Sequence, residues 1–307
     1  MLRRKLTFRQ LETFAAVARS RSFSRAAVQL HLTQPAVSIQ VRQVAEAVGM
    51  PLFEQIGREI SLTPAGEALQ AAVRGIDDVW NRFDSTLAEI RGMRRGRLRV
   101  GLVTTAKYFL PRMLGDFCRR YPEVEIELEI GNRARILERM RGNEDDLYVM
   151  SYPPADLDVV VNPFLDNEHV VVAAQGHWAV GGRHALPDLA GESFLLREPG
   201  SGSRHAIDKF LLQQGIELRV RLALGSNEAI RDLAASGMGL AVLSRHVLGA
   251  DPGRYGLAVL DVAGFPLPHA WHVVHLAGKV LSLPAQAFLD ELLRLRAAAA
   301  ASGSELV

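Results

Sequence analysis

TQPAVSIQVRQ, residues 33–43, decides how the first part of this chain is read. Val37, Val41 and Val44 recur at helical spacing, so one face of this segment can enter a core. The opposite face carries Gln34, Ser38 and Arg42 in one i, i+4 row. Pro35 falls in the first turn, where its missing N–H removes no helical hydrogen bond, and Thr33 is placed to cap that turn. Upstream, TFRQLETFAAVARS (7–20) opens on a Thr7 cap and sets Leu11, Phe14, Ala15 and Ala18 on one face. RSFSRAAVQLH (21–31) restarts at Ser22 or Ser24 and runs through Ala26, Ala27 and Leu30. Two short helices, a tight turn and a further helix with a polar outward row make a helix-turn-helix. Behind them MPLFEQIGREISLT (50–63) alternates and turns at Gly57, as a small two-stranded wing does, closing a first domain over 1–64.

The next segment differs in kind. In TPAGEALQAAVRGIDDVWNRFDSTLAEIRGM the apolar residues Leu69, Val73, Ile76, Trp80, Phe83, Leu87 and Ile90 step by 4, 3, 4, 3, 4, 3. An unbroken heptad pattern of this length predicts a helix that packs along a seam with a second copy. An amphipathic helix lying on a globular body would drift toward a 3.6 period instead. Residues 65–94 are therefore read as a linker and dimerisation helix, ending at Gly92 and the RRGR hinge.

From Arg97 the texture becomes strand–helix alternation. LRVGLV, TAKYFLPRMLGDFCRRY, VEIELEI, NRARILERMRG and DLYVMS give β-α-β-α-β, which implies a mostly parallel sheet covered by helices. A second unit starts near residue 162 with EHVVVAA and SFLLR, then a helix from Ser203, ELRVRLAL, a helix from Asn227 and GLAVLS. GLAVLDV leads through FPLPH to WHVVHLA and a last helix, PAQAFLDELLRLR, before an alanine-rich tail expected to fray. The layout expected is one body over 95–307 in two α/β lobes, lobe I from 95–161 and 268–307 and lobe II from 162–267. In such folds ligands sit outside the C-terminal ends of the strands, here between the lobes.

Composition sets the outer limits. The 307 residues are 48% hydrophobic and 23% charged, and no apolar run approaches a membrane span. MLRRKLTFRQ offers no secretory leader, so the chain is expected to be cytoplasmic and away from membranes. Cys118 stands alone, which excludes an internal disulfide and a cysteine-rich zinc site; at helical spacing from Leu114 it reads as a core thiol with no redox role assigned. Residues 1–62 hold nine Lys/Arg against four Asp/Glu, net +5, and the remaining 245 hold 27 against 30, net −3, which sum to the chain's +2. A basic first segment on a mildly acidic body suits a polyanion partner for that segment alone.

These elements resemble the LysR-type transcriptional regulators. The likeness rests on FxxVAxxxSFSxAAxxLxxTQPAVS in 14–38, GxPLFE in 49–54 and LTPAG in 62–66, and the long helix and two-lobed body extend it over nearly the whole chain. TTAKYFLPRML (104–114), GNEDDLYVMSYPP (142–154) and REPGSGSRHAI (197–207) look like the regulators of RuBisCO and Calvin-cycle operons within that family. Ile39 and Gln55 stand where the family at large often has basic residues, as in that subgroup, and two positive charges are thereby missing from the DNA-facing surface. The resemblance implies an α/β protein with an all-α winged helix-turn-helix N-terminal domain, a long linker helix and a two-lobed Rossmann-like (periplasmic-binding-protein-like) effector domain. It also implies operon activation with RNA polymerase, a homodimer or a homotetramer built as a dimer of dimers on an operator of double-stranded DNA with dyad half-sites, and a small anionic metabolite such as NADPH or a Calvin-cycle phosphate ester. No tightly held cofactor or metal is expected.

The chemistry of the motifs agrees with that role. In a helix-turn-helix the second helix enters the major groove. Gln34 can pair with adenine, Arg42 with guanine or a phosphate and Ser38 with either, while Pro35 and Ile39 can meet a thymine methyl. Ser24, Arg25, Thr33 and Arg58 on the wing are better suited to phosphates. In the body, Thr104 and Thr105, the loop from Arg197 to Arg204, and Ser226 with Asn227 stand where strands give way to helices, so free backbone N–H groups and hydroxyls favour an anion there. Lys107 and Arg204 add positive charge, and Gly200 and Gly202 let the backbone come close. Ser151, Glu198, Ser201 and Ser203, within the carbon-fixation-like stretches, complete the candidate effector site. No paired base and nucleophile and no metal-ligand spacing is present among the nine histidines, and His169, His177 and His184 read as core or surface residues. The body is read as binding without turnover, not as an enzyme. A solute-binding protein for transport, suggested by the two lobes alone, lacks both a leader and a reason for residues 1–62; an α/β enzyme with a fused regulatory domain would need turnover.

Overall fold

The computed structural model describes residues 6–56, 59–90 and 95–302, and the chain divides by packing into two compact units that meet between Asn81 and Arg82. In the first unit, α1 (Phe8–Ser20), α2 (Phe23–Gln29) and α3 (Gln34–Val48) pack on one another. Each begins at a hydroxyl cap: Thr7 forms a capping box with Gln10, Ser22 rather than Ser24 caps α2, and Thr33 caps α3. Val37, Val41 and Val44 are buried, the first two against Ala16, Val17, Ala26 and Ala27 and the third against Phe14 and Leu52. The hairpin of β1 (Phe53–Ile56) and β2 (Glu59–Leu62) follows in antiparallel register; the turn expected at Gly57, with Arg58, lies outside the described residues.

The long helix α4 (Pro64–Ile90) begins at Thr63, whose hydroxyl donates to the Pro51 carbonyl and accepts from the Gly66 N–H. Its first turns do not belong to a seam. Val73 is buried and Leu69 packs beside it against Phe14, Val44 and Leu52. The two leading heptad positions therefore serve the core of their own unit, because α4 lies against α1 and α3 there, and further along Trp80 still meets the Phe8 ring of α1 with centroids 6.0 Å apart. Ile76 (38% exposed), Trp80 (56%) and Phe83 (50%) stay open, Leu87 is half-buried, and Ile90 and the hinge from Gly92 carry side chains outside the described residues.

The second unit contains β3 (Arg95–Val103), α5 (Leu110–Arg120), β4 (Glu123–Gly131), α6 (Arg133–Arg141) and β5 (Leu147–Met150), with β4-β3-β5 parallel. Next come β6 (Val159–Ala174), β7 (Arg183–His184), β8 (Ser193–Arg197), α7 (Gly202–Gln214), β9 (Arg219–Leu224), α8 (Asn227–Ala235) and β10 (Leu240–Ser244). Here β9-β8-β10 repeats the same parallel order. A short α9 (Arg245–Leu248), β11 (Leu257–Val259), β12 (Asp261–Val262), β13 (Leu267–Leu276) and α10 (Leu283–Ser302) complete it.

Five expectations change. The sheet is mixed, not mostly parallel: β6 pairs antiparallel with β10, β11 and β13, and β13 also with β5, so one continuous sheet joins the lobes. β6 begins nine residues before EHVVVAA, and β13 starts inside FPLPH just after the cis bond Phe265–Pro266, so the lobe boundary falls within paired strands. Cys118 is exposed: the core row of α5 is Leu110, Met113, Leu114 and Phe117, and Cys118 turns away one step past Phe117. The expected helix over 105–121 also splits, into a 3-10 turn at Thr104–Tyr108 and α5, whereas the alanine tail stays helical to Ser302. Lobe I packs around Val100, Tyr148, Phe117, Phe288 and Trp271. Two cores, around Phe194 and Leu196 and around Leu195 and Ile230, cover the two faces of the sheet in lobe II.

Candidate functional site

The outward row of α3 is presented as read. Gln34, Pro35 and Arg42 are exposed, Ser38 is half-buried and Ile39 is 46% exposed. Gln34 donates to the Ser38 hydroxyl (3.0 Å), which joins the first two members of the row. Arg42 has no ion pair among the described residues, so its guanidinium is available to a partner. The face is held still from behind: buried Thr13 donates to Gln40 (2.7 Å), and Gln10 donates to Gln43 (2.9 Å). Ser24, Arg25 and Thr33 are exposed at the start of α2 and in the turn, with Arg25 also donating to the Ser20 carbonyl. Arg58 lies outside the described residues.

The second site is a narrow cleft between the lobes of the second unit. Thr104, Thr105, Ser151, Ser201, Gly202 and Ser203 line it, as expected from strand ends. The N-termini of α6, capped by Asn132, and α7, capped by Ser201, both open on it, so dipole and free N–H groups favour an anion. The remaining candidates act beside the cleft. Lys107 forms a 2.8 Å ion pair with Glu228 across the lobes. Burial works against that carboxylate, yet Lys107, its own N–H, Tyr108 and Ser226 hold its pKa down at about 2. Gly200, with φ +90, accepts at its carbonyl from the Ala134 N–H (3.1 Å), and the Asn227 amide donates to Thr105 (3.2 Å), two further links between lobes. Arg204 pairs with Asp208, and Ser226 caps α8 and donates to Glu228. Glu198 is taken by Arg197, which is only 2% exposed and donates to both Glu198 oxygens (2.8 and 3.0 Å) and to Asn227 (2.8 Å).

Arg197, at the start of the expected loop, is in the wall, and several further wall residues were not anticipated: Asn132, Arg133, Tyr152, Asn167 and His169. Arg133 donates through Nε to the Tyr152 carbonyl (2.9 Å) and pairs with no carboxylate among the described residues, so its other donors remain for an anion. Burial lowers its pKa. His169, read as a core or surface residue, is buried but stands in the wall, with Nε2 2.9 Å from the Ser203 hydroxyl. It stacks on His269 with ring centroids 4.5 Å apart, and Tyr152 approaches both His269 and His205. Burial keeps all three imidazoles below the usual histidine range, His269 at about 4, and pushes the Tyr152 hydroxyl up to about 12. His169 and His269 lie on the crossing strands, about a hundred residues apart in sequence; only the alternation of β6 and β13 would have hinted at inward histidines. Hydroxyls, amides and the Arg133 guanidinium can hold an anion; His169 reaches the Ser203 hydroxyl, but its Nδ1 has no orienting partner among the described residues.

Comparison with known proteins follows the same division. Residues 8–67 match the bacterial regulatory helix-turn-helix protein of the lysR family, and residues 91–297 match the LysR substrate binding domain. A RuBisCO operon transcriptional regulator of Acidithiobacillus ferrooxidans is 49% identical over 290 residues, 94% of each chain. The HTH-type transcriptional activator CmpR of Synechocystis is 43% identical over 93% of this chain and 94% of its own. Among solved structures, the regulatory domain of Synechocystis CcmR in complex with 2-PG superposes with a TM-score of 0.63 at 45% identity, over 65% of this chain and 97% of that one.

Proposed function

The chain belongs to the LysR family of bacterial regulatory helix-turn-helix proteins, and from that premise we propose that it activates carbon-fixation genes in response to a small phosphorylated metabolite. As a LysR-type regulator it acts on transcription by binding DNA, not as an enzyme. The choice of genes is carried by the 49% identity along 94% of the chain to a RuBisCO operon regulator. The choice of effector is supported by the cleft: two helix N-termini, a ring of hydroxyls and the Arg133 guanidinium suit a phosphate monoester of a short carboxylic acid. 2-Phosphoglycolate is the first candidate, because the CcmR regulatory domain, at 45% identity, is solved with 2-PG. NADPH comes second, since a dinucleotide would require the lobe-bridging bonds at Thr105 and Gly200 to part.

In this reading α3 reads the major groove through Gln34, Ser38, Ile39 and Arg42, while Ser24, Arg25, Thr33 and Arg58 grip phosphates. The open seam at Ile76, Trp80 and Phe83 joins two chains, and two such dimers form a tetramer across dyad half-sites, where RNA polymerase is engaged. Work on chromosomal DNA places the protein in the cytoplasm; no helix among the described residues is long and apolar enough to cross a membrane. An effector that binds one lobe arrangement better shifts that arrangement's population and hence the hold on the operator. Footprinting on the DNA upstream of the carbon-fixation operon, with and without 2-phosphoglycolate and NADPH, tests this. The expected result is a dyad footprint that shortens or shifts with 2-phosphoglycolate. No protection of that DNA, or a footprint and affinity indifferent to both metabolites, overturns the proposal.

A further inference from the structure

The strands that join the lobes carry a hydrogen-bond chain that the anion site does not need in order to bind an anion. His269 Nδ1 lies 3.1 Å from the Leu267 carbonyl, an acceptor only, so Nδ1 carries the proton. The Asn167 amide nitrogen donates to His269 Nε2 (2.8 Å), and the Ser244 hydroxyl donates to Asn167 Oδ1 (2.7 Å). The same amide nitrogen is 3.4 Å from the hydroxyl of Ser151, a residue of the cleft wall. His269 is thus a neutral imidazole whose Nε2 accepts.

This chain of bonds can also run in the opposite sense. If Nε2 gains a proton, a half-turn of the Asn167 amide presents Oδ1 to it, and the amide nitrogen then donates to Ser244, whose hydroxyl can accept as readily as donate. The exchange keeps the amide's contacts with His269 and Ser244 and gives up only its long approach to Ser151 and the Ser244 hydroxyl's donation to Oδ1. Against His269 lies His169, stacked at 22° and 4.5 Å, and His169 Nδ1 is buried with no hydrogen-bond partner among the described residues. Two imidazoles so close cannot both be charged, so the stack takes one proton at most.

We propose that this site binds its anionic effector together with one proton from bulk solvent, held on Nε2 of His269 in the His169–His269 stack. The inference rests on the reading of the cleft as a phosphate-monoester site. The charge balance favours it. Around the stack stand His246 and Arg245 after β10, Glu168 on β6 in an ion pair with that arginine, His272 on β13, His205 on α7 and Tyr152 after β5. Arg197 is already neutralised by Glu198, which leaves Arg133 as the cation of the wall without a carboxylate partner among the described residues. A phosphorylated short carboxylic acid brings a dianionic phosphate and a carboxylate, so Arg133 alone leaves an excess of negative charge in the cleft, and a proton on the stack reduces that excess. Burial, which keeps both rings neutral in the empty cleft, is then outweighed by the anion. The proton also makes the site selective: a dianionic phosphate ester draws it, a monocarboxylate much less.

Calorimetric titration of the full-length protein with 2-phosphoglycolate tests this, in phosphate-free buffers of different ionisation enthalpy between pH 6.5 and 8.5. A phosphate monoester is mostly dianionic there, its second pKa being about 6. The expected result is uptake of roughly half to one proton per site at pH 6.5, falling toward zero by pH 8.5, with Kd rising about twofold to tenfold over that range. His269→Gln should abolish the uptake and flatten the profile, and His205→Gln should retain both. Imidazole nitrogen NMR of the unmutated protein supplies a readout that survives a misfolded variant: one ring should become charged at pH 6.5 only when 2-phosphoglycolate is bound. Binding with no proton uptake, or uptake unchanged in a folded His269→Gln protein, overturns the inference and leaves the effector reading standing. No binding of 2-phosphoglycolate or inorganic phosphate at any pH overturns the effector reading and the inference with it.

Discussion

At Gly66 a methyl group would stand 2.1 Å from the Leu52 carbonyl oxygen, so the backbone of α4 can meet the base of the wing only through glycine. The LTPAG motif owes its Thr and its Gly to this junction. Gly66→Ala is expected to destabilise the first unit by about 2–4 kcal/mol, read from urea unfolding followed by circular dichroism. On α3, Arg42→Ala should weaken specific operator binding by about 1–3 kcal/mol and reduce binding to random duplex far less, as seen by fluorescence anisotropy on both DNAs. Equal losses on the two would reassign Arg42 to a phosphate. The buried histidines have a consequence for stability as well. His269 titrates at about 4 in the native chain and near the ordinary value of about 6.5 when unfolded, so between those values the unfolded chain holds the extra proton. Native stability must therefore fall as pH drops from 6.5 toward 4, by up to about 1.4 kcal/mol per pH unit for each such histidine, and His169 contributes in the same direction. Urea unfolding at pH 7 and pH 5 measures it, and a flat profile would count against both assignments. The outward row of α3 was legible because helical spacing alone separates Val37, Val41 and Val44 from Gln34, Ser38 and Arg42. His169, His269 and Arg133 were not, since strand alternation says which residues share a face but not what faces them.

Among elements, α4 divides its labour. Its first turns bury Leu69 and Val73 within one chain, and its middle leaves Ile76, Val79, Trp80 and Phe83 open. Trp80→Asp should convert dimers to monomers in analytical ultracentrifugation and lose operator affinity with them, whereas a stable, fully binding dimer would exclude a seam here. Val73→Asp is different in kind: it should unfold the first unit, because that residue is core. The heptad pattern showed the helix, but spacing cannot distinguish a partner helix from a chain's own core. β6 was half hidden for a related reason. Its first part, VVVNPF, carries Asn and Pro and alternates poorly, and only pairing with β13 makes it strand.

Across the effector-binding unit, the cleft is held by few bonds. Asn227 donates to Thr105 and accepts from Arg197, and Lys107 meets Glu228. Asn227→Ala should leave a buried guanidinium N–H unpaired, at a cost of about 1–3 kcal/mol, and should lower effector affinity about tenfold or more. Operator affinity without effector should change little, which gel-shift titration with and without 2-phosphoglycolate will separate from general misfolding. The order of lobes and the position of the cleft were legible from strand–helix alternation, but the continuity of the sheet was not, because long antiparallel strands connect what looked like separate units. The junction at Gly66 has one more consequence. Since the start of α4 is fused to the reading head, the crossing angle of two α4 helices would work as a caliper, setting the distance between the two grooves read. Substitutions along Ile76, Trp80 and Phe83 that keep the dimer would then alter which half-site spacing is preferred while leaving the preferred bases alone.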